Sequence, residues 1–193
     1  QIQAAEGRLY SLAEQGKYGQ GFVTFNAALT AAIDMADSAF KRAGHLSGLS
    51  TGLVDLDRKM GGLQRSDLII LAGRPSMGKT ALVTNVAYNV ARNYRTETKP
   101  DGSEEVVDGA VVGFFSLEMS SEQLATRILA EQAEIGSEKI RRGMIDEREF
   151  RKLVDVSQEM SRIPLYIDQT GGITIAQLAA RARKQTPQNR LAL

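Results

Sequence analysis

Apolar residues recur at three- and four-residue steps through Phe25, Leu29, Ile33, Ala36 and Phe40, and that period predicts one amphipathic helix over residues 25–40. The Ala-rich stretch from residue 2 to 14 also favours helix, and Gly16, Gly19 and Gly21 break it from the next. After Phe40 the periodicity lapses. Residues 43 to 52, AGHLSGLSTG, carry the glycine and serine content of a linker. The pattern therefore predicts a helical arm over residues 1–44 and a core over residues 45–193.

Past the linker, short apolar runs alternate with amphipathic stretches. Residues 67 to 72, DLIILA, read as a strand, and a glycine loop leads to a helix with Leu82, Val83, Val86, Ala87 and Val90 on one face. Residues 110 to 115, AVVGFF, read as a second strand. Ser120 and Gln123 then stand at capping-box spacing before a helix bearing Leu124, Ile128 and Leu129. Asp146 and Glu149 head another helix, carrying Phe150, Leu153 and Val154, and Pro164 separates it from a strand at residues 165 to 167. After Gly171 and Gly172 the pair Thr174 and Gln177 opens a last helix. Such alternation predicts an α/β class with a mostly parallel sheet flanked by helices, because parallel strands need helical crossovers. Residues 96 to 109 interrupt the pattern: a turn at Pro100-Asp101-Gly102 sits between two short candidate strands, and the segment reads equally as a surface hairpin or a polar loop.

Composition narrows this only slightly. The chain has 193 residues, 42% of them hydrophobic, enough for one such core and too few for two. A formal charge of +1 gives no global basic field, so nucleic-acid binding would rest on local patches. The absence of cysteine excludes disulfides and cysteine-rich metal sites and fits a reducing, cytoplasmic setting. The longest apolar runs fall far short of the roughly 20 residues a spanning helix needs, so no membrane partner is expected. The chain opens on Gln1 and stops within an apolar run at Leu191, and we read it as a piece whose core is incomplete at its C-terminal end.

The chemistry concentrates at GRPSMGKT, residues 73 to 80, which matches the pattern G-x-x-x-x-G-K-[ST]. Gly73 and Gly78 let the backbone curl so that successive N–H groups face a phosphate, with Arg74, Pro75, Ser76 and Met77 forming the turn between them. Lys79 would add a positive charge at the β- and γ-phosphates. Thr80 would offer its hydroxyl to Mg²⁺, and Ala81 continues into the helix whose positive end faces the same anion. A nucleoside triphosphate, expected to be ATP, and Mg²⁺ are the implied ligands. Glu118 follows the second strand and precedes the capping Ser120, where residues line the crevice of an open parallel sheet. It could activate a water, or simply favour a helix N-terminus. Asp168, at the end of the strand 165 to 167, has the look of a magnesium-side aspartate but reads better as a chain-turning residue. Arg127, Arg181, Arg183 and Lys184 could face an anion, though basic residues late in helices are usually only solvated. His45 stands alone and offers no metal site.

The runs STGLVDLDRKMGGL, DLIILAGRPSMGKTALVTNVA and VGFFSLEMSSEQLATRILA closely resemble the RecA-like motor domain of DnaB-type replicative DNA helicases over about 150 residues, from the linker helix to Leu193. That resemblance implies a RecA-like P-loop core and an ATP-dependent DNA helicase. It makes Glu118 the residue that activates the attacking water, and Lys79 its partner in catalysis. It demotes Asp168, because the family's magnesium-side aspartate, arginine finger and DNA-binding loops come later in the chain. It also implies a homohexamer in the full-length protein, with the linker helix 25–40 docking on a neighbouring subunit, and single-stranded DNA, a primase and a helicase loader as partners. Residues 96 to 109 are longer than the resemblance leads one to expect. A piece lacking the later groups should bind phosphate yet be inactive alone. Two rival readings are a RecA-like recombination or repair ATPase and a nucleotide-dependent assembly module. A small-molecule kinase has no evident acceptor pocket in the sequence. An amphipathic arm feeding a glycine linker suits a ring helicase better than a filament former. Translocation polarity and the loader's identity are not written in these residues.

Overall fold

The computed structural model describes residues 22–41, 46–185 and 191–192. By its internal contacts the chain divides into two units, Gln1–His45 and Leu46–Leu193. Within the described part of the first lies helix α1 (Phe25–Lys41), whose apolar residues Phe25, Leu29 and Ile33 are all exposed. The helix-favouring stretch at residues 2 to 14 lies outside the described residues, as does the side chain of Phe40.

The second unit opens with a short helix, α2 (Val54–Met60), ended by Gly61 in the left-handed conformation. Leu49 and Leu63 exchange backbone hydrogen bonds at 2.9 and 2.7 Å, closing residues 46 to 64 into a loop around α2. The core of that loop is Asp57. Its Oδ1 accepts from the Thr51 N–H at 2.8 Å and the Thr51 hydroxyl at 2.7 Å, and its Oδ2 from Ser50 at 2.7 Å. Burial alone would push this carboxyl up, but the hydrogen bonds from Ser50 and Thr51 and from the Gly52 backbone together hold it below the ordinary range. Neither α2 nor this buried carboxylate was among the elements expected from the sequence pattern.

Helix α3 (Lys79–Arg92) follows the glycine loop and buries Thr84, Ala87, Tyr88, Val90 and Ala91. Leu82 and Val83, expected on its apolar face, are exposed. Next comes a hairpin, β1 (Arg95–Thr98) paired antiparallel with β2 (Glu104–Asp108), with Gly102 at φ 80° in its turn. Residues 96 to 109 are therefore a built hairpin. Its base is fixed at Gly109, φ 61°, where an added Cβ would lie 2.4 Å from the Tyr94 nitrogen and 2.6 Å from the Val90 oxygen.

Strand β3 (Val111–Phe115) is the centre of a three-stranded parallel sheet, with β4 (Leu165–Asp168) on one side and β5 (Leu191–Ala192) on the other. Between β3 and β4 the chain crosses over through α4 (Ser121–Gln132), α5 (Ser137–Arg142) and α6 (Glu147–Met160). Between β4 and β5 it crosses through α7 (Ile175–Gln185). The expected helix starts are formed: Ser120 with Gln123 and Asp146 with Glu149 are reciprocal capping boxes, and Thr174 with Gln177 makes the same pair of bonds. Ala133, Ile135 and Leu153 are buried together where α4 and α6 meet, whereas Phe150 and Val154 are exposed.

One strand expectation is overturned. Residues 67 to 72 are neither strand nor buried: Leu68 and Ile70 are 87% and 80% exposed, and no described strand lies beside them. An apolar run becomes a strand only when a neighbour accepts its N–H groups, and its sequence alone cannot supply that neighbour.

Candidate functional site

The glycine loop is shaped by two residues with positive φ, Ser76 at 64° and Gly78 at 85°. Gly78 is the N-cap of α3, with no side chain capping the helix and no acidic residue in its first turn. The first intrahelical bond runs from the Leu82 N–H to the Gly78 carbonyl at 3.0 Å, so the amides of Gly78, Lys79, Thr80 and Ala81 all precede it. An uncapped helix start with its dipole undiluted by carboxylates is suited to an anion. Lys79 folds back over the loop, its Nζ donating to the Gly73 carbonyl at 2.9 Å and the Arg74 carbonyl at 3.1 Å. Those two bonds hold the ammonium over the loop. Leu71, Gly73, Met77, Lys79 and Leu82 border a hollow of about 460 Å³ at this spot.

Glu118 belongs to the tight turn between β3 and α4. Ser116, buried, donates through its hydroxyl to the Met119 carbonyl at 2.6 Å and accepts from the Met119 N–H at 3.1 Å. The Ser121 N–H donates to Gln169 Oε1 at 2.6 Å, binding the start of α4 to the end of β4. Glu118 stands exposed on this pinned turn. Helix α3 is tied to the sheet at its far end. Helix α3 packs on β3, and the Ala110 N–H, just before β3, donates to the Val90 carbonyl near the helix end at 3.2 Å. The helix has 14 residues, and from Val90 it runs about 16 Å back to Lys79. Its amino end, with the glycine loop, therefore lies away from the start of β3, and Glu118 does not border the loop hollow.

Asp168 is occupied otherwise. Its Oδ2 accepts from Arg181 at 2.5 Å, its Oδ1 from the Thr170 N–H at 2.9 Å, and Arg181 also reaches Thr170 at 2.6 Å. The Arg181 hydrogen bond, then those from Thr170, lower the carboxyl to about 2. It turns the chain and ties α7 to β4. Arg127 is half-buried on α4 and Arg183 is exposed on α7; neither borders the loop hollow. The side chain of Lys184 and all of His45 lie outside the described residues. Among the described residues no three His, Cys, Asp or Glu side chains gather to hold a metal. No described helix is long and apolar enough to cross a membrane.

Residues 48–193 match the family model described as DnaB-like helicase C terminal domain. The whole chain is 41% identical to the replicative DNA helicase DnaB of Rickettsia conorii, covering 100% of this chain and 38% of that protein. It is 36% identical over 183 residues to the replicative DNA helicase DnaC of Bacillus subtilis, covering 95% of this chain and 37% of that one. A solved structure of a DnaB-like replicative helicase and its interactions with primase superposes with a TM-score of 0.67 at 25% identity, covering 97% of this chain and 41% of that one. The chain thus spans well under half the length of the relatives it matches.

Proposed function

The chain belongs to the DnaB-like helicase C-terminal domain family, and from that premise we propose that it is the nucleotide-binding part of an ATP-driven replicative DNA helicase. The observation that carries this reading is the uncapped start of α3 under a lysine held only by loop carbonyls. Backbone amides of residues 78 to 81 receive the phosphates, and Lys79 leaves Gly73 and Arg74 for the β- and γ-phosphate oxygens. The positive charge then sits where negative charge develops as the γ-phosphoryl group departs. Thr80 would hold Mg²⁺ by its hydroxyl, the ion neutralising phosphate charge when bound. Glu118, on its rigid turn, orients and deprotonates the attacking water.

In the full-length protein this chemistry drives a homohexameric ring along single-stranded DNA in the cytoplasm. The exposed Phe25, Leu29 and Ile33 of α1 supply an apolar contact to a neighbouring subunit, and a primase and a loader are the further partners. The test uses the full-length chain with ATP, Mg²⁺ and a forked duplex. Wild type separates the strands, while Glu118→Gln still binds ATP but turns it over roughly 100-fold or more slowly. A folded wild-type protein that hydrolyses ATP without separating strands would contradict the helicase reading. Equal losses of affinity and rate in Glu118→Gln would make that residue structural.

A further inference from the structure

The turn that carries Glu118 is fastened at both ends by two consecutive residues. At its start the Ser116 N–H donates to the Asp168 carbonyl at 2.8 Å, carrying the pairing of β3 with β4 one residue further. At its end the Ser121 N–H donates to Gln169 Oε1 at 2.6 Å. Gln169 is itself aimed from both sides. Asp168 accepts from the Thr170 N–H at 2.9 Å and from Arg181 at 2.5 Å, and Arg181 also donates to Thr170 Oγ1 at 2.6 Å. One guanidinium on α7 therefore holds both residues that flank Gln169, so an exposed side chain starts from a fixed place.

We propose that Gln169 is a positioning residue for ATP turnover: its side-chain oxygen fixes the second end of the turn at residues 116–120, and through it the carboxylate of Glu118. This rests on the reading of Glu118 as the group that activates water. The Ser121 N–H is the first amide of α4 and has no partner inside its own helix, so water takes over when Gln169 is removed from this exposed bond. Loss of the bond therefore costs little stability. It costs geometry, because the turn is then tied at one end, and a displacement of about 1 Å in a reacting group can slow chemistry roughly 10²-fold. Nucleotide binding is spared, since neither Gln169 nor the turn borders the loop hollow.

The experiment measures steady-state ATPase of the full-length protein with single-stranded DNA, as kcat and as KM for ATP. Gln169→Leu removes the acceptor at nearly constant size, and kcat falls about tenfold while KM stays within about twofold and Tm is unchanged. Gln169→Glu keeps an oxygen at the same reach and restores kcat to within about threefold of wild type. In a Glu118→Gln background, Gln169→Leu brings less than about a twofold further loss, because two changes that act through one group do not add. Should Gln169→Leu not fold, Gln169→Asn, one methylene too short for Ser121, takes its place with the same expectation. A slow Glu118→Gln protein beside a Gln169→Leu protein at the wild-type kcat overturns this proposal alone. A rise in KM with kcat unchanged does the same, as does a full tenfold loss, about 1.4 kcal/mol, added on top of Glu118→Gln. A Glu118→Gln protein at the wild-type rate overturns the reading of Glu118 and this proposal with it.

Discussion

The two ends of helix α3 are held in opposite ways. Its carboxyl end is gripped from several sides: Asn89 donates to the Thr51 carbonyl at 3.0 Å, Val90 accepts from Ala110, and Ala87, Tyr88, Val90 and Ala91 are buried. Gly52, φ 76°, packs so closely that an added Cβ would lie 2.3 Å from Asn89 Nδ2. Its amino end has no cap, and Leu82 and Val83 are exposed beside it. The difference teaches that the helix is located from its far end. Its first amides are then left without protein partners, in a fixed place, which is what an anion site requires.

Removing the charge at the amino end should have the largest effect. Lys79→Ala in the full-length protein lowers ATP turnover by at least about 10³-fold, because the backbone cradle alone cannot neutralise the γ-phosphate. Its thermal stability stays at the wild-type value, since the Lys79 bonds to Gly73 and Arg74 are exposed. Steady-state turnover within twofold of wild type would break the assignment of this end as the phosphate site.

The opposite end should respond in stability. Asp57→Ala leaves the Thr51 N–H and hydroxyl without their acceptor in a residue that is fully buried, at a cost of about 3 kcal/mol. Thr51 carries the carbonyl that Asn89 holds, so α3 loses part of its grip. Chemical denaturation of both proteins measures this, and a loss below about 1 kcal/mol would show that the grip lies elsewhere. The pH dependence has a definite sign. The folded carboxyl of Asp57 is lowered, so its contribution is complete above the ordinary carboxylate range and disappears as pH falls through the folded value.

A smaller effect sharpens the contrast at the sheet's carboxyl edge. Asp168, lowered from its ordinary 3.8 to about 2, contributes stability that is full above pH 4 and lost on descending toward pH 2. Arg181→Gln should therefore lower Tm slightly at pH 6, with the gap to wild type closing near pH 2. A gap that persists unchanged at pH 2 would mean Arg181 acts through something other than this ion pair.

What the sequence made legible follows from how local each signal is. The capping boxes at Ser120 and Asp146 and the glycine loop at residues 73 to 80 depend on residues a few positions apart, and each was readable. Asp57 was not, because its partners Ser50 and Thr51 mean nothing until α2 folds back on them. Their one signal was a Ser-Thr-Gly step ahead of a short helix with an aspartate inside. The Gln169 bond that pins the Glu118 turn joins residues 48 positions apart and left no local trace. The run at residues 67 to 72 misled for the converse reason: apolar content signals a strand, but pairing is decided by a neighbour.

The contrast between the two ends of α3 is tested most directly by backbone amide hydrogen exchange on the full-length protein, with and without a non-hydrolysable ATP analogue and Mg²⁺. Residues 78 to 81 should exchange rapidly when free and become strongly protected on binding. Residues 87, 88, 90 and 91, already buried, should be slow in both states. Unchanged exchange at residues 78 to 81 under saturating analogue would contradict the account.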